Sequence, residues 1–273
     1  MHGGLESTRP PAVAGLFYPD DPQELGRWVE RFLEKGHVRQ TTDPKAVIAP
    51  HAGYIYSGPV AGSAFRPWAK AAAKIERVVL VGPSHHMWFE GLALPRAGQF
   101  YTPLGPVPVD REATARLADL PQVKLLDAAH AGEHCLEVEL PFLQAILPRF
   151  AIVPLVVGES SDEEVAEVLD RLWGGPETRI VISSDLSHYH PYAEAVRLDR
   201  TTADAIEARR VAMLTPERAC GFRAIRGLLR ASCARDLQVD TVDLRNSGDT
   251  AGPRDRVVGY GAFHFGPPRH VPA

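Results

Sequence analysis

Seven of the chain's eleven histidines gather in a few short segments: His51, His85 with His86, His130 with His134, and His188 with His190. Two of these segments close apolar runs, Ala46-Val47-Ile48-Ala49-Pro50 before His51 and Val78-Val79-Leu80-Val81-Gly82-Pro83-Ser84 before His85. A third run, Arg179-Ile180-Val181-Ile182, closes in Ser183-Ser184-Asp185-Leu186-Ser187-His188, which adds a carboxylate to another imidazole. Neutral imidazole is the commonest protein ligand for transition metals, and it exchanges a proton near neutral pH. A ligating ring needs a further partner to fix its tautomer, and Asp185, Glu133 and Glu137 are carboxylates placed to serve. One histidine after a strand more often caps a helix or satisfies a loop. Three strand ends that each bring one point to a shared site.

The thiols and hydroxyls are less decisive. Cys220 lies in Thr215-Pro216-Glu217-Arg218-Ala219-Cys220-Gly221, near the start of a predicted helix whose dipole and free N–H groups would lower its pKa. A thiolate there could ligate a metal, and the residue equally suits a buried small hydrophobe. Cys135, beside His134, could bind metal or be incidental, while Cys233 lies within a helix and reads as packing. Three cysteines cannot all pair and are too few for a disulfide scaffold or zinc ribbon, so each is expected as a free thiol. Ser84 and Ser184 raise the possibility of a serine hydrolase, but there is no Gly-x-Ser-x-Gly elbow. Gly82-Pro83-Ser84 also lacks the glycines of a phosphate cradle. Tyr54, Tyr56, Trp88 and Phe89 are candidate pocket walls.

The elements that must position these residues can be read from local signals. Short apolar runs closed by Pro or Gly read as buried strands, and open α/β sheets bind ligands beyond the carboxyl ends of such strands. The histidines are therefore expected on one rim. Asp21 as N-cap, Pro22 at the first helical position and apolar Leu25, Trp28, Val29, Phe32 and Leu33 predict a helix ending at Gly36. A Gly-rich turn over 53–58 and a helix from Pro59 to Lys74 come next. Residues 91–110 read as a hairpin excursion beside the site, turning at Thr102-Pro103-Leu104-Gly105. Asp110 should cap a helix to Leu120, before a strand at 123–126. His130 to Glu137 reads as the opening of a helix, which would put Glu133 and Glu137 on one face. Beyond it lie a strand over 151–157, a helix capped at 160–164 and running to Trp173, and helices over 192–209 and 215–235. Two closing strands flank a loop at 247–252, and the tail after Gly266 is expected to fray. Together these predict an α/β fold: a mostly parallel central sheet with helices on both faces and antiparallel hairpin additions. Residues 1–273 are expected to form a single domain.

Composition narrows the function classes. Hydrophobic content of 45% with 23% charge is that of a globular protein, and the net charge of -4 gives no basic field for nucleic acid. No apolar stretch approaches the roughly 20 residues of a membrane span. Met1-His2-Gly3-Gly4 lacks the features of a signal peptide, so a cytoplasmic location is the default expectation.

Taken together, five segments resemble the Memo family: Ala14-Gly15-Leu16-Phe17-Tyr18-Pro19, Ala49-Pro50-His51-Ala52-Gly53-Tyr54, Leu80-Val81-Gly82-Pro83-Ser84-His85-His86, Glu133-His134-Cys135-Leu136-Glu137 and Ser183-Ser184-Asp185-Leu186-Ser187-His188. In bacteria and archaea this family is the AmmeMemoRadiSam system protein B. The matches keep the family's order over nearly the whole chain.

The resemblance implies a fold related to class III extradiol dioxygenases. It implies a metal site at His51, His85 and Cys220, lined by Asp185 and His188, with His134 and Glu137 close behind. Two histidines and a thiolate replace the dioxygenases' two histidines and a carboxylate, and the softer thiolate favours iron, copper(I) or zinc. Cys135 stands where the family pattern has serine, a second thiol open to oxidation. The implied activity is a metal-dependent oxidoreductase holding one iron or copper, with His188 as general acid or base oriented by Asp185. The alternative is a non-catalytic module that holds a small-molecule or peptide ligand in the same cleft; zinc-assisted hydrolysis ranks third. The microbial family name implies a functional link to an AMMECR-type protein and a radical-SAM enzyme.

Overall fold

A computed structural model describes residues 7–37 and 43–267. Its strands are β1 (Thr8–Arg9), β2 (Ala46–Ala49), β3 (Arg77–Pro83), β4 (Leu92–Leu94), β5 (Gln99–Thr102), β6 (Gly105–Pro108), β7 (Val123–Leu125), β8 (Ala151–Val157), β9 (Thr178–Ser183), β10 (His188–His190), β11 (Gln238–Asn246) and β12 (Val257–Gly266). Its helices are α1 (Pro22–Lys35), α2 (Tyr54–Phe65), α3 (Arg111–Ala115), α4 (Asp127–Ala131), α5 (Leu140–Ile146), α6 (Asp162–Leu172), α7 (Tyr192–Glu207), α8 (Phe222–Cys233) and α9 (Ser247–Thr250).

The main sheet runs β10-β12-β2-β9-β3-β8-β4-β7, with β11 paired to β12. Its centre, β2-β9-β3-β8, is parallel, and antiparallel pairings extend it through β12 on one side and β4 on the other. Alternation along the central strands divides the core. Val47, Ala49, Val78 and Leu80 join the cluster that packs against α1, α2 and α5, while Ala46, Ile48, Val79 and Val81 join the one beneath α6, α7 and α8. With both faces covered, the strands can be apolar throughout. The fold is thus α/β with a mixed sheet between helices, in keeping with a class III extradiol dioxygenase-like architecture.

The register places the site. Ala49 lies opposite Ser183, and Val81 opposite Ile182, so three adjacent strands end at one level. His51, His85 and Asp185 leave those ends. The small sheet β1-β5-β6 contains the expected hairpin, and the tail from residue 268 lies outside the described residues.

α3 stops at Ala115 rather than Leu120, the expected loop at 247–252 opens as the short helix α9, and three further helix expectations need correction. α2 starts at Tyr54, so the presumed turn is helical and Pro59 sits inside it. Two close approaches set this: a Cβ on Gly58 or Gly62 would come within 2.4 Å or 2.2 Å of Phe32 atoms, so glycine alone lets α2 lie against α1. Residues 132–136 are not helical, because Glu133 Oε1 accepts the N–H of His134 at 2.9 Å and of Cys135 at 3.0 Å, turning the chain locally. Glu133 and Glu137 therefore do not share a helical face. α8 begins at Phe222, after Cys220. The N–H of Cys220 is instead given to Asp185 O at 3.3 Å and that of Gly221 to Ser184 Oγ at 2.9 Å.

Candidate metal-binding cleft

A cleft of about 600 Å³ opens over the strand ends. His51, His85, His134, His188 and Asp185 form its polar floor, and Leu16, Phe17, Tyr56, Val258 and Tyr260 supply apolar wall. The rings of His51, His85 and His134 are packed together, with centroids 5.1 Å, 5.4 Å and 4.7 Å apart pairwise. One ligand atom from each of the three lies within 4.8 Å of the others.

Each ring is tied down from behind. His51 Nδ1 meets Ser183 Oγ at 2.8 Å, and its backbone N–H is given to Asp185 Oδ1 at 2.8 Å. His85 Nδ1 meets Glu133 Oε1 at 2.8 Å, while Glu133 Oε2 accepts the His85 N–H at 2.7 Å. His134 Nδ1 lies 3.4 Å from the same carboxylate. The turn at 13–18, where Gly15 takes a φ of 77° in the left-handed region, seats Phe17 against His134 with ring centroids 4.9 Å apart. The Phe17 carbonyl also accepts the Tyr54 N–H at 2.7 Å, so one turn serves both the cleft wall and the start of α2.

Burial dominates the electrostatics. It pushes His51 well below the usual histidine range, reinforced by the neighbouring His85 and His134, and it brings His134 down to about 4 against the pull of Glu133. Glu133 is also buried, yet the bond to His85 and the backbone N–H groups of His85 and Cys135 hold it below the usual carboxylate range. Burial pushes Asp185 up to about 7, opposed by the His51 and Ala52 N–H groups. Burial thus favours the neutral rings of His51 and His134, Glu133 stands behind the cluster as an anion, and a carboxyl is poised to exchange a proton near neutrality.

Cys220 Sγ lies 3.3 Å from His51 Nε2 and accepts the Asp185 N–H at 3.2 Å. Cys220 lies ahead of α8 rather than inside its first turn, and the lowering it gets from the Asp185 and Gly221 N–H groups and from Ser184 is outweighed. Burial, then the Asp185 charge, push it up to about 12.

The structure brings His51, His85, His134, His188 and Asp185 together along the cleft and puts Cys220 against His51. Glu137 is elsewhere: it is fully enclosed and accepts from Arg9, Tyr18 Oη and the backbone N–H groups of Ala12 and Val13. His188 lines the cleft, but its ring bonds the Leu186 backbone, and no hydrogen bond among the described residues joins it to Asp185. His130 is buried on the Ala93 carbonyl at 3.0 Å, and His190 faces Glu194 at 3.3 Å. Ser84 and Ser184 donate to backbone carbonyls rather than to any histidine. Trp88 and Phe89 line a separate cavity of about 140 Å³ that reaches Cys220 and Phe222, and Tyr54 is core. Cys233, expected to pack, is exposed at the end of α8.

Comparison with known proteins decides the relationship. The model of the Memo-like protein family matches residues 9–264. The chain belongs to the Memo family. A MEMO1 family protein of Aquifex aeolicus is 36% identical over 265 residues, covering 93% of this chain and 97% of its own. MEMO1 family proteins of Methanopyrus kandleri and Archaeoglobus fulgidus are 35% and 34% identical, each spanning 94% of this chain and 98% and 99% of theirs.

In this Memo-family chain the His51, His85 and His134 rings could hold a metal ion. The Nδ1 atoms of His51 and His85 are engaged, which leaves Nε2 as the available donor on each. Donor atoms at metal-bond lengths of about 2.0–2.3 Å sit roughly 3.5 Å apart around a tetrahedral ion, and His51 Nε2 and Cys220 Sγ, 3.3 Å apart, meet that spacing. The Memo motifs carried most of the floor. Glu133, one of the carboxylates the sequence offered as a ring partner, does hold His85, but the motifs did not disclose Ser183 as the support of His51, or Tyr189 and Arg256 on the rim, where the guanidinium lies 5.1 Å over the tyrosine ring. Tyr189 has a φ of 62° and lies within a β-bulge between His188 and His190, a backbone state that sequence patterning does not signal. Among the described residues, no helix is long and apolar enough to cross a membrane.

Proposed function

We propose that this protein is a metal-dependent oxidoreductase acting on a small molecule in the cleft. One iron or copper ion would be held by His51, His85 and Cys220, with His134 as a further nitrogen donor. The observation that carries this reading is the cluster of three imidazoles, with Nδ1 of His51 and His85 tied down, at the floor of a cleft of about 600 Å³. When bound, such an ion supplies redox chemistry and Lewis acidity. The chain's own residues do the rest. Asp185, buried and titrating at about 7, gives or takes a proton at its carboxylate. His188 lines the wall beside it and serves the opposite transfer, and Phe17, Tyr56 and Tyr260 exclude water and orient an apolar substrate body. We also propose the functional link to an AMMECR-type protein and a radical-SAM enzyme, inside the cell, that the resemblance implies.

The test is elemental analysis of protein purified without oxygen or added metal, alongside His51→Ala, His85→Ala and Cys220→Ala. Near-stoichiometric iron or copper that falls away in the folded variants supports the reading. Unchanged metal content in all three variants rejects it.

The apolar wall, with Arg256 on the rim, favours a second reading, a non-catalytic module that holds a peptide or small ligand. It requires binding that survives complete metal removal and no turnover under any redox condition.

A further inference from the structure

Ser183 carries one hydroxyl proton and meets three partners. Its Oγ lies 2.7 Å from the Cys135 carbonyl, 2.7 Å from Glu139 Oε1 and 2.8 Å from His51 Nδ1. The carbonyl can only accept, so it takes the serine proton. The two remaining contacts then fall on the lone pairs of Ser183 Oγ, and both must be donors. His51 donates from Nδ1. Glu139 can donate only as the protonated acid.

A second observation agrees. Glu139 is 0% exposed, its other oxygen, Oε2, has no hydrogen-bond partner, and no cation pairs with it among the described residues. A buried carboxylate with one bare oxygen and no counter-charge is expensive, whereas the carbonyl oxygen of a neutral acid left unpaired costs far less.

We infer that Glu139 is a neutral carboxylic acid that donates to Ser183, and that Ser183 in turn holds His51 with its proton on Nδ1 and a bare Nε2 toward Cys220. Both are positioning residues. Burial acts in the same direction on Glu139, pushing its carboxyl well above the usual range. The arrangement also suits the other side of the ring, where a protonated Cys220 thiol can donate to the bare Nε2 across 3.3 Å. It holds whether or not the cleft takes a metal, so it stands or falls apart from the proposed activity.

The test uses metal-free, full-length protein near neutral pH. Nitrogen-15 NMR of the histidine rings should show a protonated Nδ1 and a bare Nε2 for His51, and Ser183→Ala should convert this to a mixture of tautomers. Infrared difference spectra should show loss of a protonated-carboxyl stretch in Glu139→Gln. That variant should keep the His51 tautomer, because its amide still donates to Ser183. A proton on Nε2 of His51 in the parent protein overturns the inference, as does a Ser183→Ala variant with an unaltered tautomer. Loss of carboxylate bands in Glu139→Gln, with the protonated-carboxyl region unchanged, shows an ionised Glu139 and overturns it too. Were Ser183→Ala to misfold, the parent tautomer and the Glu139→Gln spectrum still decide.

Discussion

Glu133 grips His85 at two points, accepting the ring Nδ1–H at 2.8 Å and the backbone N–H at 2.7 Å. One carboxylate therefore sets both the ring's tautomer and the path of the chain after β3. Glu133→Gln keeps the shape but offers one acceptor oxygen where two are used, and it removes the anion behind the imidazole. On the proposed function, iron or copper affinity should fall about 10–100-fold. Competition against a chelator of known affinity measures this. An unaltered affinity would mean that His85 is not a ligand whose basicity Glu133 supports.

The three thiols should react in a fixed order. Cys233 is exposed, Cys220 is partly covered and pushed up to about 12, and Cys135 is fully buried. Burial, then the Glu133 charge, push the Cys135 thiol well above its ordinary value, and its Sγ lies 3.2 Å from the Pro83 carbonyl it donates to. The oxidation sensitivity expected of Cys135 from its place in the motif is therefore not what its surroundings support, since reactivity tracks thiolate character and exposure. Timed alkylation with mass spectrometry should label Cys233 first and Cys220 slowly, with Cys135 labelled only in denaturant. Labelling of Cys135 in the native protein at the rate of Cys233 would contradict this.

Arg9 pins the site from beneath. It reaches Glu137 and the backbone carbonyls of Glu133 and His130 from β1, at the far end of the sequence from those residues' neighbours. Both members of the pair are nearly or fully enclosed, so removing one strands a buried charge. Arg9→Ala should cost about 3–5 kcal/mol in urea unfolding. A loss below about 1 kcal/mol, the value of an exposed pair, would show that the contact is solvated.

How much of this was legible depended on the range of the interaction. The Asp21 cap of α1 and the capping box at Ser161 of α6 are contacts within three residues, and both were visible in the sequence. The strand-end histidines were visible too, because an apolar run ending in Pro or Gly fixes where the next side chain leaves the sheet. The failures share another cause. α8 starts late because β9's loop claims the N–H groups before it, and residues 132–136 leave the helix because Glu133 reaches for its own backbone and for His85. Glu137 looked like a site carboxylate from its spacing, but Arg9 and Tyr18, more than a hundred residues away, turn it into a structural anchor. Tertiary partners decided each case, and local pattern carries no record of them.

Asp199 on α7 gives the protein a pH dependence with a defined sign. It is 2% exposed, and its Oδ1 accepts the Ser187 N–H at 3.0 Å. Burial pushes its carboxyl from 3.8 up to about 6, and the Ser187 bonds only partly oppose this. An acid whose pKa is raised on folding holds its proton more tightly in the folded state. Its contribution is therefore present below about pH 4 and is lost as pH climbs through 6, where the folded chain must carry a buried charge. Asp199→Asn cannot titrate and keeps an oxygen for Ser187. Between about pH 4 and about pH 7, the stability of the variant relative to the parent should rise by about 2 kcal/mol, with the other titrating groups cancelling in the difference. Urea unfolding of both proteins across that range measures it. A difference that stays flat with pH would show that water or a cation reaches Asp199 in the folded state and relieves its burial.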